Sequence, residues 1–365
     1  MLDGPRLLRA TAANHRAWFR RCAAVGEGRV ERADGLELVV DGAGGTIAFP
    51  RAGSRTRTRR RLDATMGRAD ELGLRSMACW SLEEDRALGA LLLARGFEWG
   101  WQPHWMAREL TRLPDLELEH PVIPARGSQP RALPYASSRP LPPAARHLAV
   151  REAGEMVGHV VVNPWRGCAG IYDMGVVPGR RRQGIGRALT LAACGLAREL
   201  GCTSAVLNAT GEGEPLYRAV GFESLGLGRT WWLHPGPRPT GRQAALVEAI
   251  GFGALDELAS LRPAGAELEQ PVPGGGPPLA VAVVTGQATV ADWILERRPD
   301  LVSRPLEPRG GTLLHVAVEW DDEPLVDVAL AHGADRLSRD RTWNGTPLDW
   351  AEHLGRPRLA ARLRA

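Results

Sequence analysis

The sequence contains no lysine, so arginine provides all 46 of its basic residues. Together with its many glycines and prolines, this composition is typical of a bacterial genome very rich in G+C. Long apolar runs are also missing. None approaches the ~18 residues that a membrane-spanning helix requires, and residues 1–21 lack the uninterrupted apolar core of a secretory signal. We therefore expect neither a membrane span nor a secretory signal.

Cysteine is scarce and scattered, with no C-x-x-C pair among Cys22, Cys79, Cys168, Cys194 and Cys202. Such an odd set excludes a disulfide framework and a zinc site. We expect buried thiols in a reducing compartment, most simply the cytoplasm. No histidine, cysteine and aspartate cluster has metal-ligand spacing, so no metal is expected. The net charge of +4 is small and the arginines alternate with acidic residues, which does not indicate nucleic-acid binding.

One segment carries a phosphate-binding pattern. The apolar run 171–177 predicts a buried strand, which ends at Pro178, and a helix is expected from about Gly186. Between them stands Arg181-x-x-Gly184-x-Gly186. Glycines let main-chain N–H groups approach a phosphate, a helix start presents further unpaired N–H groups, and arginine donates bidentate bonds to phosphate oxygens. The segment predicts capture of a pyrophosphate; an ordinary strand–turn–helix connection is the alternative.

Other glycine-rich turns fit this segment less well. A dinucleotide-binding turn needs a third glycine where this chain has Leu189, and a P-loop needs a lysine. The segment instead resembles motif A of the GNAT superfamily of N-acetyltransferases, V-x-P-x-x-R-x-x-G-x-G/A. Downstream, the apolar run 202–209 predicts a second strand. Tyr217 and Gly221-Phe222 then resemble the family's Y-x-x-x-G-F helix.

The resemblance implies two strands that splay around the pantetheine arm of acetyl-CoA, and a direct acyl transfer from the thioester to an amine without a metal. Arg181 and Arg187 are the expected side-chain donors to the pyrophosphate, and a solvated surface role is the alternative for Arg180 and Arg182. The backbone N–H groups expected to hold the pyrophosphate belong to Arg182, Gln183, Gly184, Ile185 and Gly186.

The pantetheine arm is expected to contact both strands. The resemblance assigns its amides to the main chain of Val176 and Val177. Asn208, on the facing strand, is expected to bond the arm or the thioester oxygen, and capping of the strand end is its alternative role. These contacts would hold the arm between the two strands.

Two residues are assigned the proton transfers. Tyr217 is the expected general acid, because the departing thiolate needs a proton that a phenol can supply; a core tyrosine bonded to a carbonyl is the alternative. Asp173, which alternates with Gly175 onto one face of its strand, is expected to act as a base through water or to bind a cationic substrate. Water chains alone are a further alternative, and weaker candidates are Glu152, Glu212 and Glu214.

Tryptophans are concentrated around residue 100. Three of the chain's twelve lie within 99–105, and Trp80 precedes them on a predicted strand. Buried packing between two halves of the molecule is one interpretation, and an acceptor pocket with indole walls is the other. In the second, Trp80, Trp101 and Trp105 contact an aromatic or cationic substrate, and His104 acts as a base or polar anchor.

The chain is predicted to consist of five segments. Residues 1–115, with Gly96-Phe97 after a helix, resemble a second, degenerate GNAT fold. A Pro-rich linker is expected at 116–146, the catalytic GNAT domain at 147–234, a short linker at 235–241 and a repeat region at 242–365. The arginine run 51–61 lies where the first domain would need its phosphate loop. We interpret this run as a solvated loop, or as a contact for CoA phosphates or another acidic ligand.

The C-terminal region contains an internal repeat. Thr312-Leu-Leu-His315 and Thr346-Pro-Leu-Asp349 lie 34 residues apart, and looser matches begin at Pro277 and Ala244. His332-Gly-Ala-Asp335 follows one of the predicted second helices. This period and these sequences resemble ankyrin repeats, each made of two antiparallel helices. Helical repeats of another kind are the alternative.

The expected fold class is therefore α/β (α+β), with two GNAT folds in tandem, mixed central sheets and a final all-α ankyrin array. The predicted function is acetyl-CoA-dependent N-acetylation of an amine, and a small molecule is the expected acceptor. Two alternatives stay open: acetylation of a protein or peptide that the repeats recruit, and a non-enzymatic adaptor in which CoA binding gates the repeat surface. Neither a nucleic acid nor a membrane is an expected partner.

Overall fold

The computed structural model describes residues 3–50, 53–83, 85–111, 118–125, 141–306 and 310–364. The chain divides into two compact units. Unit 1 consists of Met1–Pro50, Arg68–Glu84 and Trp101–Thr230, and unit 2 of Arg51–Gly67, Asp85–Gly100 and Trp231–Ala365. Residues 116–117 and 126–140 of the expected linker lie outside the described residues, as do positions 51 and 52 of the arginine run.

Unit 1 begins with a helix and a small sheet. Helix α1 spans Gly4–Val25, and the Asp3 side chain caps it by accepting the N–H of Arg6 at 3.1 Å. Three antiparallel strands follow, β1 (Arg29–Ala33), β2 (Leu36–Asp41) and β3 (Gly44–Ala48). Strand β3 also pairs in parallel with β4 (Ser76–Ser81).

The larger sheet of unit 1 is mixed. Its described strands run in the order β12-β6-β11-β10-β9-β8-β7, and within it β10 and β11 are parallel. Helices α4 (Ile185–Glu199) and α5 (Glu214–Ala219) connect β10 to β11 and β11 to β12. The strand bounds are β6 (His104–Glu109), β7 (Ile123–Pro124), β8 (Arg146–Glu152), β9 (Glu155–Trp165), β10 (Cys168–Val176), β11 (Ser204–Ala209) and β12 (Glu223–Leu227).

Helices cover both faces of this sheet. Successive strand residues point to opposite faces. Val160 and Val162 of β9 therefore join the core that contains Leu189 of α4, whereas Val161 packs with Trp18 of α1 on the other face. The N-terminal helix thus closes the face of the sheet that α4 leaves open.

Strand β6 lies away from the segment to which the sequence assigned it. It was expected in the first domain, yet it pairs antiparallel with β11 on one side and with β12 on the other. The segment 147–234 therefore lacks a strand from the middle of its own sheet. The division into five segments stays a prediction. The pairing of β6 with β11 and β12 joins strands from both sides of the expected linker at 116–146.

Unit 2 contains most of α2 (Arg55–Glu71), α3 (Arg86–Leu93), β5 (Glu98–Trp99), the end of β13 (Arg229–Leu233) and the C-terminal helices. The C-terminal helices form pairs whose first members begin at residues 241, 278, 313 and 347. Capping boxes at Thr240, Thr312 and Thr346 start three of these four. The helices are α6 (Gly241–Gly251), α7 (Leu255–Leu261), α8 (Pro278–Val284), α9 (Ala288–Arg297), α10 (Leu313–Glu319), α11 (Glu323–Ala331), α12 (Pro347–His353) and α13 (Pro357–Arg364).

The arginine run is helical from Arg55 onward, which differs from the expected loop. Helix α2 begins at Arg55, because arginine is a good helix former and its side chains find partners on α6. Arg55 lies 3.6 Å from the Glu248 carboxylate, which Arg59 also contacts. Arg95, after α3, lies 3.5 Å from the same carboxylate.

No helix in the described part of the chain is long and apolar enough to cross a bilayer.

Candidate functional site

Strands β10 and β11 diverge in the middle of the larger sheet. Their parallel pairing joins only residues 168–170 to residues 204–206. Strand β10 continues to Val176 paired with β9, and β11 continues to Ala209 paired with β6. A cleft therefore opens between the two strands, as expected for the pair that flanks acetyl-CoA.

A bulge on β10 lies beside this cleft. Between Tyr172 and Gly175, the two residues Asp173 and Met174 oppose the single residue Val160 of β9. The bulge places Asp173 at φ +48° and breaks the alternation of Asp173 with Gly175 that the sequence suggested. It turns the side chains of both extra residues toward the cleft.

The glycine-rich loop joins β10 to α4. It contains a single 3-10 turn, Pro178–Arg180, and ends at Gly184, which caps α4 at φ +81°. Any other residue at Gly186 would bring its Cβ within 3.0 Å of Leu216 on α5. The two glycines therefore have different roles: the first provides a left-handed turn at a helix start, and the second allows two helices to approach.

A carboxylate lies against this loop. Glu119 contacts the position that a Cβ on Gly184 would occupy, and its Oε1 accepts a hydrogen bond from Arg187 at 3.3 Å. The neighbouring His120 Nε2 lies 2.6 Å from the carbonyl oxygen of Gln183. The segment was expected only as linker, and no signal in its sequence indicated that it reaches the anion-binding loop.

One cavity of about 680 Å³, lined entirely by unit 1, connects the loop with the cleft. Arginines and glycines of the loop line one end, and Asp173, Asn208 and Tyr217 line the middle. The wall at the other end is aromatic and comes from α1, β4 and the chain before β6. Its rings belong to His15, Trp18, Phe19, Trp80 and Trp101.

Burial controls the protonation of the cavity wall. It raises the pKa of Asp173 to about 6 and lowers the pKa of His15 to about 4, because a charged group loses its hydration there. Burial also raises the pKa of Tyr172 well above its usual value. Near neutral pH, Asp173 is therefore a carboxylate close to its titration point, and the side chains of His15 and Tyr172 are uncharged.

The phenol of Tyr217 lies beside the bulge. The hydroxyl is 3.8 Å from Sδ of Met174, and the side chain is buried with only a small part of it in the cavity wall. Its ring packs edge-on against Phe222 at 5.9 Å between centroids. The acid and the base expected from the sequence thus meet in one cavity.

The cavity includes most but not all of the predicted site residues. The N–H of Val177 donates to the Val157 carbonyl at 3.0 Å, so it is already used within the sheet. His104 contacts Ser224 and Glu214 outside the cavity. The predicted residues in the wall are Trp80, Trp101, Asp173, Val176, Arg181, Arg182, Gly184, Gly186, Arg187, Asn208 and Tyr217, and those outside it are His104, Trp105, Val177, Gln183 and Ile185.

Trp105 is fully buried and packs against Phe49 and Ala12, as in the packing interpretation of the tryptophans. The α1 residues of the wall were missed by the sequence analysis. The spacing of His15, Trp18 and Phe19 at i, i+3 and i+4 does place them on one helix face, but only the fold shows that this face meets the cleft.

The cysteines are free thiols, and burial raises the pKa of Cys168 and of Cys194 to about 11. Neither thiol is therefore ionised near neutral pH. In the described residues, no group of three or more histidine, cysteine or carboxylate side chains could hold a metal ion.

Residues 108–222 match the family model of the acetyltransferase (GNAT) family. No curated protein sequence matches the chain. Among solved structures, a GCN5-related N-acetyltransferase from Kribbella flavida is 18% identical over 62% of this chain and 95% of that chain, with a TM-score of 0.47. A tandem GNAT protein from the clavulanic acid biosynthesis pathway is 17% identical over 55% of this chain and 79% of that chain, with a TM-score of 0.41.

A putative GNAT acetyltransferase from Novosphingobium aromaticivorans is 12% identical over 55% of this chain and 89% of that chain, with a TM-score of 0.38. The family assignment therefore rests on the match of residues 108–222 to the family model. The matched segment begins near the end of β6 and ends just after α5, and it includes the loop, the bulge and the cleft. Residues 108–222 are therefore an acetyltransferase domain of the GNAT family.

Proposed function

We propose that the protein is an acetyl-CoA-dependent N-acetyltransferase that transfers the acetyl group directly to a small amine. The supporting observation is that a single cavity joins the anion-binding loop, the cleft between β10 and β11, a carboxylate and a phenol. Each requirement of the reaction therefore has a suitable group facing the same space.

The loop would hold the pyrophosphate of acetyl-CoA. Main-chain N–H groups of residues 182–186 surround the start of α4, where unpaired donors and the helix dipole favour an anion. Arg181 already reaches back to the Val176 carbonyl at 3.4 Å and pairs with Glu212 at 2.9 Å. Because Val177 is bonded to β9, alternation turns the main chain of Val176 toward the cleft, where it would pair with a pantetheine amide.

The chemistry would need one base and one acid. The Asp173 carboxylate takes a proton from the incoming ammonium, directly or through water. The free amine then forms the C–N bond to the acetyl carbonyl carbon, the C–S bond breaks, and Tyr217 gives its proton to the departing sulfur. The second proton lost by the nitrogen restores the phenol through solvent, so one proton is released per turnover.

A charge placed at the helix start tests the assignment of the loop. We expect Gly184→Asp to weaken acetyl-CoA binding at least tenfold, because a carboxylate would then stand at the pyrophosphate position. Gly201→Asp is the matched control: Gly201 has φ +78°, close to the +81° of Gly184, and open space around it. Calorimetric titration measures the affinity of both variants for acetyl-CoA. A thiol-release assay with a panel of amines measures their acetyl transfer. Equal affinity of both variants would contradict the assignment.

A second function is favoured by the C-terminal helices. Their pairing, their regular starts and the capping boxes at Thr312 and Thr346 support the proposal that they are ankyrin repeats. Between α11 and α12, Leu337 and Trp343 are 78% and 62% exposed, which suits a protein partner. In this alternative the repeats recruit a protein or peptide acceptor, and its KM would depend on these two side chains. A non-enzymatic adaptor would bind the partner and acetylate no amine.

A further inference from the structure

We infer that the acceptor is a primary monoamine attached to a planar, apolar body, and that the aromatic end of the cavity binds this body. The inference rests on the proposed acetyl transfer and narrows its acceptor. Three properties of the wall support it: the spacing of its rings, the bonds that fix them, and the number of charges near them.

The rings form one continuous aromatic surface around Trp80. The ring centroid of Trp80 lies 5.7 Å from that of Phe19 and 5.9 Å from that of Trp101, which stands nearly perpendicular to it at 88°. All three side chains are half-buried and line the cavity. A planar body gains the most contact against an aromatic surface of this kind. A flexible aliphatic chain would cover the same surface less completely and lose more conformational freedom.

Hydrogen bonds hold the α1 side of this aromatic surface in place. The Tyr172 hydroxyl donates to Oδ1 of Asn14 at 2.8 Å, and Nδ2 of Asn14 donates to the Cys168 carbonyl at 2.8 Å. Trp18 stacks on the Tyr172 ring at 4.5 Å between centroids and an interplanar angle of 7°. Because these bonds join α1 to β10, the aromatic wall is formed before any acceptor arrives.

The charges of the wall match a single ammonium. Among the described residues that line the cavity, the carboxylates are Asp173 and Glu212, and Glu212 pairs with Arg181 at the loop end. His15, within the aromatic end, is neutral because burial lowers its pKa to about 4. One ammonium therefore finds one carboxylate at the cleft. A second ammonium carried into the aromatic end would lose its hydration without a counter-ion.

The test compares primary amines that differ in the body they carry or in a second amino group. We expect kcat/KM for 2-phenylethylamine and tryptamine to exceed that for hexylamine and 1,5-diaminopentane at least tenfold. Trp80→Leu and Trp101→Leu should reduce this ratio at least threefold, chiefly through KM. The matched control is Trp165→Leu, because Trp165 is also half-buried in unit 1 but lies outside the cavity wall. Acetyl-CoA affinity reports whether each variant is folded. Trp80→Phe and Trp101→Phe should restore the ratio of kcat/KM between the aromatic and the aliphatic amines.

Binding without turnover gives an independent readout. The Kd of 2-phenylethylamine for the protein saturated with CoA should rise in the two pocket variants and stay unchanged in Trp165→Leu. Acetylation of hexylamine or the diamine as efficiently as of the aromatic amines would overturn the inference and leave the proposed function standing. Acetyl-CoA binding with no turnover of any amine in the panel would also overturn it. Failure of the unaltered protein to bind acetyl-CoA would instead contradict the proposed function.

Discussion

At the scale of single residues, the activity should depend on the ionisation of Asp173. Burial raises its pKa to about 6, so the group is a proton acceptor above that pH and a neutral acid below it. The kcat/KM for an amine should therefore fall about tenfold per pH unit below pH 6. Asp173→Asn should remove this acid limb, and asparagine tolerates the φ of +48° at this position. An unchanged limb in the variant would assign it to another group.

The phenol of Tyr217 is expected to act on the leaving group. Tyr217→Phe should lower kcat about 10²- to 10⁴-fold, the usual effect of losing a general acid, with little change in acetyl-CoA affinity. Tyr172→Phe is the matched control, because it removes a hydroxyl from the same cavity but one bonded to Asn14. It should lower the melting temperature without a comparable loss of kcat. A kcat within twofold of the unaltered protein for Tyr217→Phe would show that water protonates the thiolate.

At the scale of elements, the segment 118–125 lies where the loop would hold the proposed pyrophosphate. The Glu119 carboxylate bonds to Arg187 and lies against Gly184, so in the proposed function it would have to move away before the pyrophosphate binds. We expect Glu119→Gln to tighten acetyl-CoA binding severalfold, because it removes the negative charge that holds this segment against Arg187. Glu223→Gln, at an exposed carboxylate on β12, is the control. A weaker affinity in Glu119→Gln would mean that this residue supports binding rather than opposing it.

The elements differ in how well the sequence predicts them. The loop, the strands on either side of it and the positions of Tyr217 and Asp173 depend on local patterns, namely apolar runs, glycine spacing and a proline stop, and these are visible in the chain. The bulge at Asp173 depends on pairing with β9, and alternation alone predicts an even strand there. The sequence predicts a loop for the arginine run, and Glu248, the partner that its side chains find in the fold, lies far along the chain.

Long-range pairing also explains the other differences. Strand β6 joins β11 and β12 across more than ninety intervening residues, and no local pattern specifies this choice. In the same way, His15, Trp18 and Phe19 form an ordinary amphipathic helix in sequence and become part of the acceptor wall only through the contact of α1 with β10.

At the scale of the whole chain, the Pro/Gly segment 235–241 predicts that a chain without the C-terminal helices still folds and binds acetyl-CoA. Packing within unit 2 argues against this. Helix α6 approaches α3 so closely that a Cβ on Gly251 would lie 2.5 Å from Cβ of Ala90, and Arg95 beside α3 pairs with Glu248 of α6 at 3.5 Å. The buried leucines of α3, Leu91, Leu92 and Leu93, belong to the same unit.

We therefore expect a chain that ends at Leu233 to expose the α3 surface and to aggregate or bind a hydrophobic dye. A chain that ends at Leu306 is the control, because it keeps α6 and α8 and removes only the last two helix pairs. This longer chain should remain soluble, bind acetyl-CoA and keep its kcat/KM for a small amine. If the acceptor is a protein, its KM should rise in the Leu306 chain while acetyl-CoA affinity persists. Cooperative unfolding of the Leu233 chain at the melting temperature of the full chain would show that residues 1–233 fold without the C-terminal helices, as the linker composition suggests.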